Sequence, residues 1–344
     1  MNNYGDNIKI TTFGESHGVF IGAVLDGFFS NKFIYEKNIQ KELNLRKPFT
    51  SLFSTQRKEL DKVKIITGVF NNKTTGAPIL LIIKNNDKRS FDYKNISTNF
   101  RPGHSDYTYF KKYKFRDYRG GGRSSARETA ARVASSSIFK KYIYNKGINI
   151  RSYIKKIGAI KIKFNSWKFI KNRFYINIIF LNDIKEYINY CKNICNSLSA
   201  EIITIINGIF PGIGEPIYDK LDSNIANYLI SINAVKSIEI GLNLKKKNSF
   251  IIKDEIISNG FLSNNNGGVL GGISNGQPLI IKTLFKPTSS TSKKIKTINE
   301  KNLILFSKTY GRHDPCVGLR AIPVIESMLS TIIINFILKN NKYE

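Results

Sequence analysis

The chain offers little for redox or metal chemistry: its 344 residues include three cysteines, two methionines, one tryptophan and three histidines. Three cysteines (Cys191, Cys195, Cys316) are an odd number in a large chain, which argues against a disulfide framework and a cysteine-rich metal site. Long apolar runs are missing too. The uninterrupted ones, such as Ile79 to Ile83 or Ile332 to Ile334, fall far short of the roughly 20 residues that cross a bilayer. No basic segment followed by an apolar one opens the sequence, so the expectation is a cytoplasmic protein that spans no membrane. There is no G-x-x-x-x-G-K-[ST] loop and no G-x-S-x-G elbow, and Gly212-Ile213-Gly214 runs into Glu215-Pro216 instead of completing a dinucleotide fingerprint. P-loop hydrolases, Rossmann dehydrogenases and serine hydrolases are disfavoured.

Acidic residues are scarce as well: 25 Asp and Glu face 54 Lys and Arg, a net charge of +29. A nucleic-acid partner is the first thought, but two features weaken it. Ile, Asn and Lys make up 132 of the 344 residues, the composition of A/T-rich codons, and the lysines are spread through every segment instead of forming a stripe or tail. The arginines behave differently. Of 13, six (Arg101, Arg116, Arg119, Arg123, Arg127, Arg132) fall within one 32-residue stretch. In a chain that otherwise spells positive charge as Lys, this points to bidentate recognition of phosphate or carboxylate. The alternative is a salt-bridge cluster, which Asp106, Asp117 and Glu128 offset only in part.

With 41% hydrophobic residues the chain has enough apolar material for a full core. Alternation predicts strands at Ile8 to Phe13 and Val19 to Leu25, with His17 at the turn between them, and a second pair at Val63 to Val69 and Ala77 to Lys84. Connections this short imply antiparallel pairing. Several further strands are expected in residues 148–181. Helical spacing marks Asp183 to Leu198, with Cys191 and Cys195 on its buried face, then Leu221 to Ile232 and the apolar Ala321 to Lys339.

Arg119-Gly120-Gly121-Gly122-Arg123-Ser124-Ser125-Ala126-Arg127-Glu128 is the most informative stretch. Successive glycines let the backbone approach a ligand, and Ser125 with Glu128 is a capping-box pattern opening a helix. A Gly-rich loop feeding a helix N-terminus between two arginines reads as an anion site; a plain capped helix is the bland reading. All three histidines (His17, His104, His313) stand among Gly, Arg and Asp, and none has the neighbours of a zinc or iron site. The loops near residues 17, 104, 123 and 313 span almost the whole chain, so a site built from them favours a single interwoven domain, 1–344.

At this point the motifs are specific enough to resemble a known family, the chorismate synthases. The residues that carry the resemblance are Gly14-Glu15-Ser16-His17-Gly18, Arg101-Pro102-Gly103-His104, Tyr118 to Thr129, Ser231-Ile232-Asn233-Ala234-Val235-Lys236, Lys286-Pro287-Thr288-Ser289-Ser290 and Arg312-His313-Asp314-Pro315-Cys316. The resemblance implies a carbon–oxygen lyase of the shikimate pathway that converts 5-enolpyruvylshikimate 3-phosphate to chorismate by anti-1,4-elimination of phosphate. It implies an α+β fold, a β-α-β sandwich of mainly antiparallel sheets around helices, assembled as a homotetramer. Of the cofactors associated with such flavoproteins (FMN, FAD, NADP), reduced FMN is the one implied as required. No pyridine-nucleotide fingerprint is visible, so the expectation is an external flavin reductant. By resemblance, His17, His104 and Asp314 take proton roles. Arg123, Ser124, Ser125, Asn233, Ala234, Gly271, Lys286, Pro287, Thr288, Ser289, Ser290 and Arg312 hold the flavin; Arg46, Arg101, Arg127 and Arg312 bind the substrate. Departures from the family pattern are Leu52 for an arginine, which Lys47 or Arg57 could offset, Lys114 for a glycine, and Asn265 for a histidine.

Overall fold

In the computed structural model, which describes residues 2–48, 59–87, 93, 96–170, 174–241, 253–258, 260–290, 292–308 and 314–340, the opening alternation becomes two antiparallel strands. They are Lys9–Gly14 and Phe20–Asp26, with Ile10 opposite Leu25 and Thr12 opposite Ala23. Ile79–Lys84 pairs with the second of these, Val63–Ile65 lies outside it, and Asn3–Tyr4 closes the other edge, giving a five-stranded antiparallel sheet. One face is built from Ile8, Ile10, Ile21, Ala23, Leu25, Ile79, Leu81 and Ile83, all buried. Each isoleucine and leucine contributes about 1.5–3 kcal/mol of burial relative to an exposed position.

A second antiparallel sheet orders Val235–Ile240, Leu279–Phe285, Ala200–Asn207, Asn149–Ile157 and Ile160–Lys161. Its buried positions again follow period two, through Ala200, Ile202, Thr204 and Ile206 and through Leu279, Ile281, Thr283 and Phe285. The expectation of several strands in residues 148–181 holds for the first part only. Beyond Lys161 the chain turns through 3₁₀ segments at Trp167–Ile170 and Ile178–Phe180.

Six helices are described: α1 (Glu36–Arg46), α2 (Asp106–Tyr113), α3 (Thr129–Asn145), α4 (Leu181–Asn193), α5 (Leu221–Ile230) and α6 (Ile322–Asn340). The long pair α3 and α6 pack on each other between the sheets, α3 against Phe20–Asp26 and α6 against Asn149–Ile157. The result is the α+β sandwich implied by the resemblance, with one continuous core that runs from Ile8 to Ile337. Small residues of α3 (Ala130, Ala131, Ala134, Ser135, Ser136) permit the close approach. Ser330 and Thr331 of α6 hydrogen-bond to Ser136, and Asn335 holds the backbone of Ile8 at 2.9 Å.

Two sequence readings need correction. Although no uninterrupted apolar run is long, α6 as a whole is long and apolar enough to span a bilayer; it is buried inside the fold, as a helix apolar on all sides must be. Cys191 is buried on α4, but Cys195 is exposed, because the helix ends at Asn193 and Cys195 takes a left-handed φ of +54°.

Candidate active site

The turn that carries His17 is clamped from the first sheet. Asn85, just past Ile79–Lys84, donates its amide to the carbonyls of Glu15 and Gly18, each at 3.0 Å. His17 is buried and meets the Tyr93 ring edge to face. The chain returns through Gly120 and Gly121 with φ of +65° and +92°, which only glycine adopts without strain. A Cβ on Gly120 would lie 2.6 Å from His17 Cδ2 and Nε2; one on Gly121 would lie 2.7 Å from His104 Cε1. The glycine pair therefore separates the two histidines, and its lack of side chains is what lets both approach.

His104 belongs to a buried network. Its Nδ1 lies 2.9 Å from Asp106 Oδ1, and Arg101 grips the same carboxylate with Nε at 2.7 Å and Nη2 at 2.8 Å. Burial would raise the Asp106 carboxyl, but hydrogen bonds from Arg101 and His104 prevail and hold it well below the usual carboxylate range. Burial also lowers the pKa of His104, with Asp106 pulling the other way and Arg101 adding to the depression. The carboxylate contact is shorter than the 3.3 Å approach of Arg101 Nη2, and it assigns the proton of the neutral ring to Nδ1. Nε2, on the Gly121 side, is left as the acceptor.

A cavity of about 320 Å³ opens beside this network. Arg101, His104, Ser124, Ser125, Asn233, Ala234, Lys286, Pro287, Thr288, Ser289, Ser290 and Asp314 line it, together with Gly120 and Tyr93. The 286–290 loop is stitched in place: Lys286 Nζ and Ser289 Oγ both donate to the Gly103 carbonyl at 2.6 Å, and Thr288 Oγ1 donates to the Asp314 carbonyl at 2.9 Å. Burial, then neighbouring Lys236, lowers the pKa of Lys286. Ala234 holds a left-handed φ of +70° in the wall, and Asn233 donates to Ser124 O at 2.8 Å while its buried Oδ1 has no hydrogen-bond partner.

Other expected residues lie elsewhere. Arg46 and Arg127 do not line this cavity; both are buried and converge on Asp61, Arg46 at 2.8 Å and Arg127 by a shorter contact. Burial lowers Arg46 to about 10 against the pull of Asp61, with Arg320 and Arg127 adding to the shift. Arg127 also donates to Asn85 Oδ1 at 2.8 Å, so it braces the residue that clamps the His17 turn. Arg123 turns inward to the carbonyls of Gly14 and Thr12. Gly271 sits in the Val269–Leu270/Ile273–Ser274 hairpin, away from the cavity. Arg312, His313, Leu52 and Arg57 fall outside the described residues.

Of the two sequence readings of the arginine stretch, the ion-pair one describes these side chains: Arg101 with Asp106, Arg119 with Asp117, Arg132 with Glu128, and Arg127 with Asp61. The capping box is half formed. Ser125 accepts from Arg127 N at 3.3 Å, but Glu128 is taken by Thr12 and Arg132 and does not reach back. A 3₁₀ turn, Ala126–Glu128, precedes α3, and the amides of Ser124, Ser125 and Glu128 are spent on the carbonyls of Gly121, Gly122 and Ser125. The cationic and hydroxyl groups that line the cavity are Arg101, Lys286 and the serine and threonine side chains.

Two departures from the family pattern find local explanations. Lys114 caps α2 in the left-handed region, φ +60°, where glycine carries no Cβ penalty. Asn265 is buried and donates through both its backbone and side-chain amides to Asp254. Asp61, Asn85, Tyr93 and Arg320 were not picked out from the sequence, and Asp106 was named there only as an offset to the arginine charge.

The profile of the chorismate synthase family matches residues 8–338. The chain is 71% identical over 343 residues to the chorismate synthase of Carsonella ruddii (strain PV), covering 100% of this chain and 99% of that protein. It is 48% identical to that of Francisella tularensis subsp. novicida (99% of each chain) and 46% identical to that of Nitrosomonas europaea (98% of this chain, 88% of the other). A crystal structure of chorismate synthase superposes with a TM-score of 0.75 at 28% identity, over 98% of this chain and 93% of that one.

Proposed function

This chain belongs to the chorismate synthase family, lyases of the shikimate pathway to the aromatic amino acids, and from that premise we propose that its cavity binds 5-enolpyruvylshikimate 3-phosphate beside reduced FMN and releases chorismate and phosphate. In the balance of the reaction one C–O bond to phosphate and one ring C–H bond break, a C=C bond forms, and the proton is carried off with phosphate, so no net oxidation occurs. When bound, the reduced flavin supplies a transient electron for expelling phosphate from a substrate whose departing hydrogen is not acidic.

The observation that carries the reading is the juxtaposition of His17 and His104 across Gly120–Gly121, next to a cavity lined by an ammonium, serine and threonine hydroxyls and a carboxylate. The donor set fits a flavin: Ser124, Ser125, Ser289, Ser290 and Lys286 suit its phosphate and polar edge, and unpartnered Asn233 Oδ1 supplies an acceptor. Arg101 sends Nη1 toward Ser290 Oγ at 3.5 Å and is the arginine placed to meet an anion in the cavity. Arg312, two positions before Asp314, joins it in this proposal. Arg46 and Arg127 act through Asp61 and Asn85.

His104 is neutral in the free protein and becomes a proton donor when an anion enters and offsets Arg101 and Lys286. His17, one backbone layer back at Gly120, supplies the proton for departing phosphate, and Asp314 accepts the ring hydrogen's proton on the opposite wall. The protein works in the cytoplasm as a homotetramer and takes its flavin already reduced. Anaerobic incubation with reduced FMN and 5-enolpyruvylshikimate 3-phosphate is expected to release phosphate and chorismate in equal amounts, and oxidised FMN plus NADPH to give none. A protein that forms no product with reduced FMN overturns the reading, the more so if it binds DNA with a steep salt dependence.

A further inference from the structure

Asp314 is fixed through its backbone before its side chain is considered. Its carbonyl accepts from Thr288 Oγ1 at 2.9 Å, and the next carbonyl, of Pro315, accepts from Leu198 N at 2.8 Å. Its carboxylate is paired with a residue six positions on. Arg320, the last residue of a 3₁₀ turn leading into α6, donates from Nη2 to Asp314 Oδ2; the two side chains are 14% and 11% exposed.

Arg320 stands in an expensive place. It lines a small chamber behind the main cavity together with Arg46 and Thr129, and the two spaces share Ala126, Asn233 and Val317. Its charge adds to the lowering of the Arg46 pKa, so the two cations repel. Its buried Nε has no hydrogen-bond partner, and among the described residues Asp314 is the one side chain to which it is seen to hydrogen-bond. A guanidinium–carboxylate pair that only filled space against an apolar helix could be replaced as a pair by well-packed apolar side chains at little cost, since buried ion pairs seldom exceed such a substitute in stability. A cation standing beside another cation, with Asp314 as its partner, is accounted for if its task is to aim that carboxylate at the cavity.

We infer that Arg320 is a positioning residue for the elimination, holding the Asp314 carboxylate against the cavity wall without itself meeting substrate or flavin. The inference rests on the proton role proposed above for Asp314. The test uses the full-length protein with reduced FMN and compares Arg320→Met, Arg320→Lys, Asp314→Asn and the double variant Asp314→Asn/Arg320→Met. Arg320→Met is expected to lower kcat by about 10²-fold, the cost of a misdirected group, with KM within about threefold. Arg320→Lys, which keeps the charge but loses the fork, recovers part of the rate, and millimolar guanidinium ion restores some activity to Arg320→Met. The double variant is no slower than Asp314→Asn alone, because the two side chains act as a unit.

Arg320→Met at wild-type kcat, or a double variant slowed by the product of the single effects, overturns the inference while leaving Asp314 in place. Asp314→Asn at wild-type rate removes the role of Asp314 and the inference together. Should Arg320→Met fail to fold, Arg320→Lys decides: a reduced kcat at unchanged KM and unchanged unfolding midpoint supports positioning, and a loss of midpoint with kcat intact overturns it.

Discussion

Gly121→Ala tests the site with the smallest possible addition, a single methyl group. Two costs add. The backbone sits at φ +92°, so any side chain there is strained by about 1–3 kcal/mol. The new Cβ would also stand 2.7 Å from His104 Cε1 and 3.0 Å from Nε2. Ordinary carbon contacts lie at about 3.5–4.0 Å, so the ring must recede by roughly 1 Å. It cannot do so freely, because Nδ1 is held at 2.9 Å from Asp106. A displacement of that size at a group in the chemistry lowers turnover by about 10²-fold, equivalent to about 2.7 kcal/mol of barrier.

Gly147→Ala is the matched control. Its φ is +84°, but a Cβ there has nothing within 4 Å, so it carries the strain without the collision. Unfolding in urea and single-turnover phosphate release, measured on both variants, separate the effects. Both should lose about 1–3 kcal/mol of stability, and only Gly121→Ala should lose turnover. Equal turnover in the two variants would refute the claim that Gly121 is bare because His104 must stand against it.

Asp61→Asn removes the carboxylate shared by Arg46 and Arg127 and leaves two buried guanidinium groups without it, a loss of about 3–5 kcal/mol by chemical denaturation. Its turnover should fall with little change in KM, since neither arginine lines the cavity; a large KM effect alone would return them to the substrate. Stability should also decline on acidification. His104 is lowered in the folded state, so its contribution is complete above the unfolded value near 6.5 and is lost as pH falls below it. Asp61 and Asp106, also lowered, hold theirs above about pH 4 and lose it as pH falls further. Glu326, raised by burial, works in the opposite sense: it gains stability as pH falls toward the ordinary glutamate value near 4.5, above the aspartate step, and so opposes part of the earlier decline. Urea midpoints from pH 7.5 to 5.5 should fall in the wild type and flatten in His104→Gln; an upper step that persists in the variant assigns it to another group.

The strands around His17 were readable because sheet burial has a period of two and the sequence alternates strictly through Ile8, Ile10 and Thr12. The convergence of His17 and His104 was readable from the rarity of histidine and its placement in Gly-, Arg- and Asp-containing loops; that Gly120 and Gly121 stand between the two rings was not. Nor was the fate of the arginines. The resemblance places Arg46 and Arg127 at the substrate, and their pairing with Asp61 went unseen because it stands 15 and 66 residues away, where no local pattern announces a partner. Glu128 was similarly drawn from its expected cap to Thr12, 116 residues away, once tertiary contacts could compete. Several strands were expected in residues 148–181 because Ile, Phe and Tyr recur along the whole length, and the edge at Lys161 is set by the sheet, not by propensity.

The Asp61 knot bears on how loss of function in this chain should be interpreted. It ties α1 through Arg46 and the approach to α3 through Arg127, and Arg127 in turn braces Asn85 and the His17 turn. An activity screen over random substitutions would flag Arg46, Asp61, Asn85 and Arg127 beside the histidines, and arginine hits beside an anionic substrate invite a ligand-binding label. Their hydrogen bonds to one another give such hits a second explanation, loss of the scaffold behind the His17 turn. Their shared signature would be correlated failure: each substitution should mask the next, as broken links of one chain do, whereas independent ligand contacts lose affinity separately.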